Sequence, residues 1–132
     1  MEIKELKPAS IWHYFDAITR VPRPSKKEDR IREFLLNFAK EQNLEAKVDK
    51  TGNVVITKAA TPGCEGAPTV ILQAHMDMVC EKNGDVKHDF EQDPIETYID
   101  GEWVKARGTT LGADNGIGMA AALAVLADKE LK

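Results

Sequence analysis

Two short stretches of this sequence carry residue types able to do chemistry at spacings that bring them together. The first is His75-Met76-Asp77, directly after the apolar run Thr69-Val70-Ile71-Leu72-Gln73-Ala74. In extended chain, residues i and i+2 point to the same side, so Asp77 can reach the His75 ring. A carboxylate on one ring nitrogen fixes the tautomer and leaves the other nitrogen, made more basic, to bind a metal. Ligands in open α/β sheets gather outside the carboxyl ends of strands, where His75 would stand. The plainer alternative is a structural histidine satisfied by its neighbour.

The second stretch is Gly108-Thr109-Thr110-Leu111-Gly112-Ala113-Asp114-Asn115-Gly116-Ile117-Gly118, with four glycines in eleven residues. Such density predicts a tight loop where backbones approach closely, running straight into a helix. Helix N-termini attract anions, which makes phosphate a rival ligand. No Gly-Lys-Ser/Thr is present and the glycine spacing is not that of a dinucleotide fingerprint, while Asp114 would repel a phosphate. A carboxylate held by this loop suits a cation; alternatively, Asp114 or Asn115 caps the helix. Asp114 lies 37 residues after Asp77. Together the two stretches supply the His and carboxylate ligands that zinc sites use. The two oxygens of Asp114 could bridge two metals about 3.5–4 Å apart. His88, in Val86-Lys87-His88-Asp89-Phe90, is a poorer ligand candidate but lies in a loop that could line a pocket. His13, with no second ligand patterned around it, reads as a surface or partly buried helical residue.

The elements that must position these residues follow from periodicity. Ile11, Trp12, Phe15 and Ile18 recur at spacings of three and four and predict a helix over 8–20, ended by Val21-Pro22-Arg23-Pro24. Ser25 with Glu28 reads as a capping box opening a second helix, whose stripe is Ile31, Phe34, Leu35 and Phe38 and whose stop is Asn43. From Leu44 the period becomes two, predicting a strand, a turn at Lys50-Thr51-Gly52-Asn53 and a return strand over 54–57. Residues 59–68 are a loop punctuated by Pro and Gly, and 69–74 resemble a strand covered on both faces. Residues 81–96 read as an exposed acidic loop, and 98–104 as a hairpin whose Asp100-Gly101 suits a type I′ turn. Met119 to Leu126 is strongly helix-forming. This order predicts an α/β layer structure.

Composition narrows the classes. A chain of 132 residues fits one domain, and its 42% hydrophobic content is ordinary for a globular protein. Residues 1–66 carry a net charge of +2 and residues 67–132 carry −6, with no clustered Lys and Arg of the kind nucleic acid requires. No run approaches the length of a membrane span. The charged start Met1-Glu2-Ile3-Lys4-Glu5 is not a signal peptide, so a cytoplasmic location is expected, with Cys64 and Cys80 as free thiols.

His75-Met76-Asp77-Met78-Val79, His88-Asp89-Phe90, Asp93-Pro94-Ile95, Asp100-Gly101-Glu102-Trp103 and the block from Gly108 to Gly118 together resemble the bacterial aminoacyl-histidine dipeptidases. These are the Xaa-His or peptidase D type, sometimes called carnosinases, in the aminoacylase/carboxypeptidase group of dinuclear zinc peptidases. Pro8-Ala9-Ser10-Ile11-Trp12-His13-Tyr14-Phe15 and Val21-Pro22-Arg23-Pro24-Ser25 match the same pattern. The tripeptidase called peptidase T shares His-x-Asp and a similar glycine loop. The resemblance implies a three-layer zinc-exopeptidase-like α/β fold, with a mixed sheet flanked by helices. Residues 1–132 would form the N-terminal portion of its catalytic domain.

The resemblance further implies that His75 binds one zinc, that Asp77 supports His75 and so shares in catalysis, and that Asp114 bridges two zincs. Cobalt or manganese are alternative metals. Asn115 and His88 would lie at the pocket, and the Asp114–Asn115 peptide would be cis. The reaction would be hydrolysis of dipeptides, preferably Xaa-His such as β-alanyl-histidine, by a metal-activated water, with neither nucleic acid nor membrane as partner and a homodimer as a candidate assembly. The alternatives are another di-zinc exopeptidase or deacylase, or a binding module that kept the fold. Members of this group carry a Glu-Glu pair and further ligands beyond the point this sequence reaches. The chain is therefore expected to be a fragment, to bind zinc weakly and to lack turnover alone.

Overall fold

The apolar stripe at Ile11, Trp12, Phe15 and Ile18 does form the inner face of a helix, α1 (Ala9–Thr19), in a computed structural model that describes all 132 residues. Phe15 and Ile18 are fully buried, with Trp12 meeting Phe15 edge to face. A single 3-10 turn at Ile3–Glu5 precedes it and tucks Ile3 into the same core. His13 is exposed on α1, its ring against Tyr14.

The second helix, α2, runs over Asp29–Glu41, starting three residues later than a cap at Ser25 would place it. Lys26 takes a left-handed φ of 69°, which cannot continue a helix, and Glu28 Oε1 accepts the Lys26 amide at 2.7 Å. Ser25 caps nothing and spends its hydroxyl elsewhere. The stop at Asn43 is as expected: φ is 56°, and the amides of Asn43 and Leu44 close onto Lys40 O and Ala39 O at 3.1 and 2.8 Å. This is the Schellman arrangement, which satisfies carbonyls a helix end leaves open.

Strands β1 (Glu45–Val48) and β2 (Val54–Thr57) pair antiparallel with Val48 opposite Val54, and pack against α2. Asp49 builds the turn: its Oδ1 accepts the amides of Thr51, Gly52 and Asn53 at 2.8–2.9 Å. Strands β3 (Thr97–Asp100) and β4 (Trp103–Ala106) form the second hairpin. Its turn residues are Gly101 and Glu102 rather than Asp100 and Gly101. Only Gly101, at φ 60°, is left-handed, which is the pattern of a type II′ turn and not the type I′ expected.

The α/β character holds, with the strands arranged as two separate antiparallel hairpins. Within this chain no mixed sheet is assembled. The run 69–74 is not a strand: no backbone–backbone hydrogen bond engages residues 69–77, and Ile71 is 86% exposed. Strand formation needs a neighbour to accept and donate, and none lies beside this run. Helix α3 (Ala113–Ala127) packs on α1 and completes a core of Ile3, Phe15, Ile18, Ile31, Leu35, Phe38, Met119, Ala120 and Leu123. It starts six residues before the strongly helix-forming stretch, with Asp114 and Asn115 outside helical φ/ψ.

Candidate metal centre

The exposed run delivers His75 to the start of α3, where the glycine loop presents Asp114. His75 Nε2 stands 3.0 Å from Asp114 Oδ1, and on the far side of the ring Nδ1 stands 3.0 Å from Asp77 Oδ1. Nδ1 also lies 3.1 Å from the Asp77 carbonyl. The second oxygen of Asp77 accepts the Ser25 hydroxyl at 2.5 Å. A line of contacts therefore runs from Ser25 through Asp77 and His75 to Asp114.

Charge on this line is consistent with its geometry. The His75 pKa is raised, first by the Asp114 carboxylate and, against some desolvation, by Asp77. The Ser25 hydroxyl, aided by His75, holds the Asp77 carboxyl below its ordinary range. With Asp77 accepting a hydrogen bond from Nδ1–H, Nε2 and Asp114 Oδ1 face each other as a nitrogen and an oxygen that need something positive between them. A second proton on the ring meets that need, and so does a divalent cation.

The donor set can be tested against a metal. Zinc ligands at ~2.0–2.2 Å in tetrahedral geometry stand about 3.3–3.6 Å apart, so the 3.0 Å between Nε2 and Oδ1 would open by a few tenths of an ångström to take the ion. The side chain of Asp114 is 97% exposed, so its other oxygen is open to a second ion. The pair fits a cation as two of its ligands. No group of three or more His, Cys, Asp or Glu side chains converges to hold one, whereas zinc sites use three or four protein ligands.

Asn115 has a different task. Its Oδ1 accepts the Gly118 amide at 3.1 Å, so of the two helix-cap candidates Asn115 turns back to the helix and Asp114 turns outward. The Asp114–Asn115 peptide is cis. His88 stays within the acidic loop, its ring on Phe90 and its carbonyl accepting Lys82 Nζ at 2.8 Å, with no hydrogen bond to His75, Asp77 or Asp114.

The sequence reading missed Arg23, which it took as part of a helix stop. Arg23 is 1% exposed, and its guanidinium lies beneath the site. Nη2 donates to Gly112 O at 2.7 Å, and Nη1 to Asp77 O at 3.2 Å and Met76 O at 3.4 Å. Burial pushes its pKa down to about 10, which leaves it charged at neutral pH. The close approach expected of the glycine loop is an approach to this side chain. A Cβ on Gly112 would meet Arg23 Nη2 at 2.5 Å and Met78 Sδ at 2.9 Å, and one on Gly116 would meet the same Nη2 at 2.8 Å. The only signal in the sequence is that no acidic residue lies within four positions of Arg23, so its partner had to be remote.

The arrangement of helices, hairpins and glycine loop is that of peptidase chains of known structure. The chain superimposes on aminoacylhistidine dipeptidase from Vibrio alginolyticus with a TM-score of 0.97 and 57% identity, over all of this chain and 27% of that one. It is 54% identical over 130 residues to cytosol non-specific dipeptidase from Escherichia coli (strain K12), over 98% of this chain and 27% of the relative. A tripeptidase from Staphylococcus aureus shares the fold at a TM-score of 0.71 and 23% identity, over 89% of this chain and 31% of that one. No family model matches the chain. The chain spans about a quarter of the length of the dipeptidases it matches. No helix is long and apolar enough to cross a membrane.

Proposed function

We propose that these residues are the N-terminal portion of the catalytic domain of a metal-dependent dipeptidase that cleaves dipeptides, with Xaa-His such as β-alanyl-histidine preferred. The observation that carries this reading is the approach of His75 Nε2 to Asp114 Oδ1 across a 39-residue separation, with Asp77 on the opposite ring nitrogen. The two relatives over 50% identical are both dipeptidases by name, and one is an aminoacylhistidine dipeptidase.

In this reading His75 Nε2 and Asp114 would hold a divalent cation, zinc or alternatively cobalt or manganese. Asp77 keeps the proton on Nδ1 and stops the ring from rotating, so it acts through His75. The outer oxygen of Asp114, exposed to solvent, would be open to a second ion. The chemistry such a metal would supply when bound is activation of a water and polarisation of the scissile carbonyl. The remaining ligands and the general base come from polypeptide outside these 132 residues, as do most groups that would read the substrate side chain. The protein would work in the cytoplasm.

Two measurements test this. The 132-residue chain should bind zinc weakly, through His75 and Asp114, and hydrolyse no β-alanyl-histidine. Measurable turnover by this chain that disappears in His75→Ala would overturn the division of labour. A polypeptide of the relatives' full length that contains these residues should hydrolyse dipeptides but not tripeptides, and lose activity in His75→Ala and Asp114→Ala. Tripeptide cleavage at comparable rates would move the assignment to a tripeptidase, and full activity in both variants would remove the metal reading.

A further inference from the structure

His75 and Asp114 are exposed side chains on segments far apart in the chain, and residues 69–77 make no backbone–backbone hydrogen bond. Something else must set their 3.0 Å separation. We propose that Arg23 and Ser25 are positioning residues, and that the segment Arg23-Pro24-Ser25 fixes where His75 and Asp114 stand relative to one another. The geometry of this inference is independent of any metal, while its functional meaning rests on the proposed metal site.

Beyond the His75–Asp114 contact itself and the packing of Ala74 and Met76 on the core, the hydrogen bonds that reach residues 75–77 from elsewhere in the chain come from Arg23 and Ser25. The Met78 amide donates to Arg23 O at 3.0 Å, and Pro24 lies beside Met78 as an isolated parallel bridge. The Arg23 guanidinium takes the carbonyls of Met76 and Asp77 with Nη1 and that of Gly112 with Nη2. Those carbonyls belong to residues within two positions of His75 and of Asp114, so one rigid planar fork spans both segments. A lysine would offer a single point charge with no fork. Nε has no partner, so the two Nη groups alone orient the guanidinium. Ser25 adds a second hold: its hydroxyl fixes Asp77 Oδ2, so that Oδ1 faces His75 Nδ1. Arg23 forms no ion pair, although isolated buried charge is costly. Such a residue persists where carbonyls from separate segments must be held together.

The test uses the 132-residue chain labelled with nitrogen-15. The variants are Arg23→Lys, Arg23→Gln, Ser25→Ala and Ser25→Thr. The readouts are the His75 imidazole nitrogen signals without metal, a zinc titration followed at His75 and Asp114, and Tm. Ser25→Ala should shift the imidazole signals with Tm unchanged, because Ser25 is exposed, and Ser25→Thr should restore them. Arg23→Lys should shift them too and weaken zinc binding about tenfold or more, within the ~10–100-fold range for groups that orient a ligand. Arg23→Gln, which keeps a neutral amide donor, provides the same reading should the lysine variant not fold. Imidazole signals identical to wild type in Ser25→Ala and in a folded Arg23 variant would overturn the proposal, even if Tm fell. Should wild type show no zinc response while Ser25→Ala still moves the signals and Ser25→Thr restores them, the positioning role stands and the metal reading falls.

Discussion

Replacing Gly112 by alanine should be among the most damaging single-methyl changes in this chain. Gly112 sits at φ 76°, where a side chain costs roughly 1–2 kcal/mol. The new methyl would also lie 2.5 Å from Arg23 Nη2. The free end of an arginine normally swings aside, but this one is 1% exposed and bonded to three carbonyls, with Gly116 pressing the same nitrogen. Moving it breaks the 2.7 Å bond to Gly112 O, a charged hydrogen bond worth about 1.5–3 kcal/mol. The total is about 2.5–5 kcal/mol, a large share of the ~5–15 kcal/mol that holds a typical domain.

Gly101 provides the control. It too is left-handed, at φ 60°, but a Cβ there meets nothing within 4 Å, so Gly101→Ala should cost only about 1–2 kcal/mol. Any gain from a stiffer unfolded chain is common to both variants and cancels in the comparison. Urea unfolding followed by circular dichroism separates them: with m near ~2 kcal/mol/M, the two midpoints should differ by about 1 M. Equal midpoints would show that Arg23 yields freely, and the account of the glycine loop as a seat for its guanidinium would fail.

Three further outcomes follow from the same structure. Leu123→Ala, at a core position 2% exposed, should cost about 2–5 kcal/mol, while Val125→Ala, 43% exposed on the same helix, should change stability by less than about 0.5 kcal/mol; equal losses in urea unfolding would contradict the assigned inner face of α3. Asp49 is held below the ordinary carboxylate range by the Asn53 side chain and the turn amides, and a depressed carboxyl stabilises above its unfolded pKa and stops doing so as pH falls through its folded one. The amide signals of Thr51, Gly52 and Asn53 should therefore hold steady through the usual Asp range and move only at lower pH; a midpoint at the ordinary value would refute the Asp49 turn. Val70, Ile71 and Leu72, exposed on a run with no backbone partners, should make the isolated chain self-associate with concentration, and Ile71→Lys should abolish this; light scattering from a clean monomer at high concentration would count against it.

What was legible in the sequence was what neighbours in the chain decide. The stripe of α1, the change of period at Leu44, the Asn43 stop and the hairpin over 98–104 all rest on contacts within a few residues. Ser25-Lys26-Lys27-Glu28 fits a capping box as well as many real ones do, yet its hydroxyl is taken by Asp77, 52 residues away. No local pattern distinguishes those uses. The run 69–74 failed for the converse reason: its β-branched composition describes how it would pack in a sheet, and no sheet partner lies within this chain. His75, Asp77 and Asp114 were readable as a group because their chemistry is unusual together. Arg23 was not, because a buried arginine bonded only to carbonyls leaves no mark on the residues around it beyond the lack of a nearby acid.

The placement of those side chains argues against a purely structural reading of His75. An imidazole whose only work is stability gains most when buried, yet His75 is 47% exposed and its partner Asp114 is 97% exposed. An exposed pair of this kind contributes about 0–1 kcal/mol. Against that small return the fold holds a buried guanidinium with an unpartnered Nε and no ion pair. That is a larger liability than the contact could offset. Asp114 is not serving the helix either, since Asn115 performs the cap beside it. What the arrangement does achieve is a nitrogen and an oxygen held 3.0 Å apart, facing outward, with the tautomer of the ring fixed from behind. That is a useful thing to build where a cation is to be bound, and a poor way to stabilise a loop.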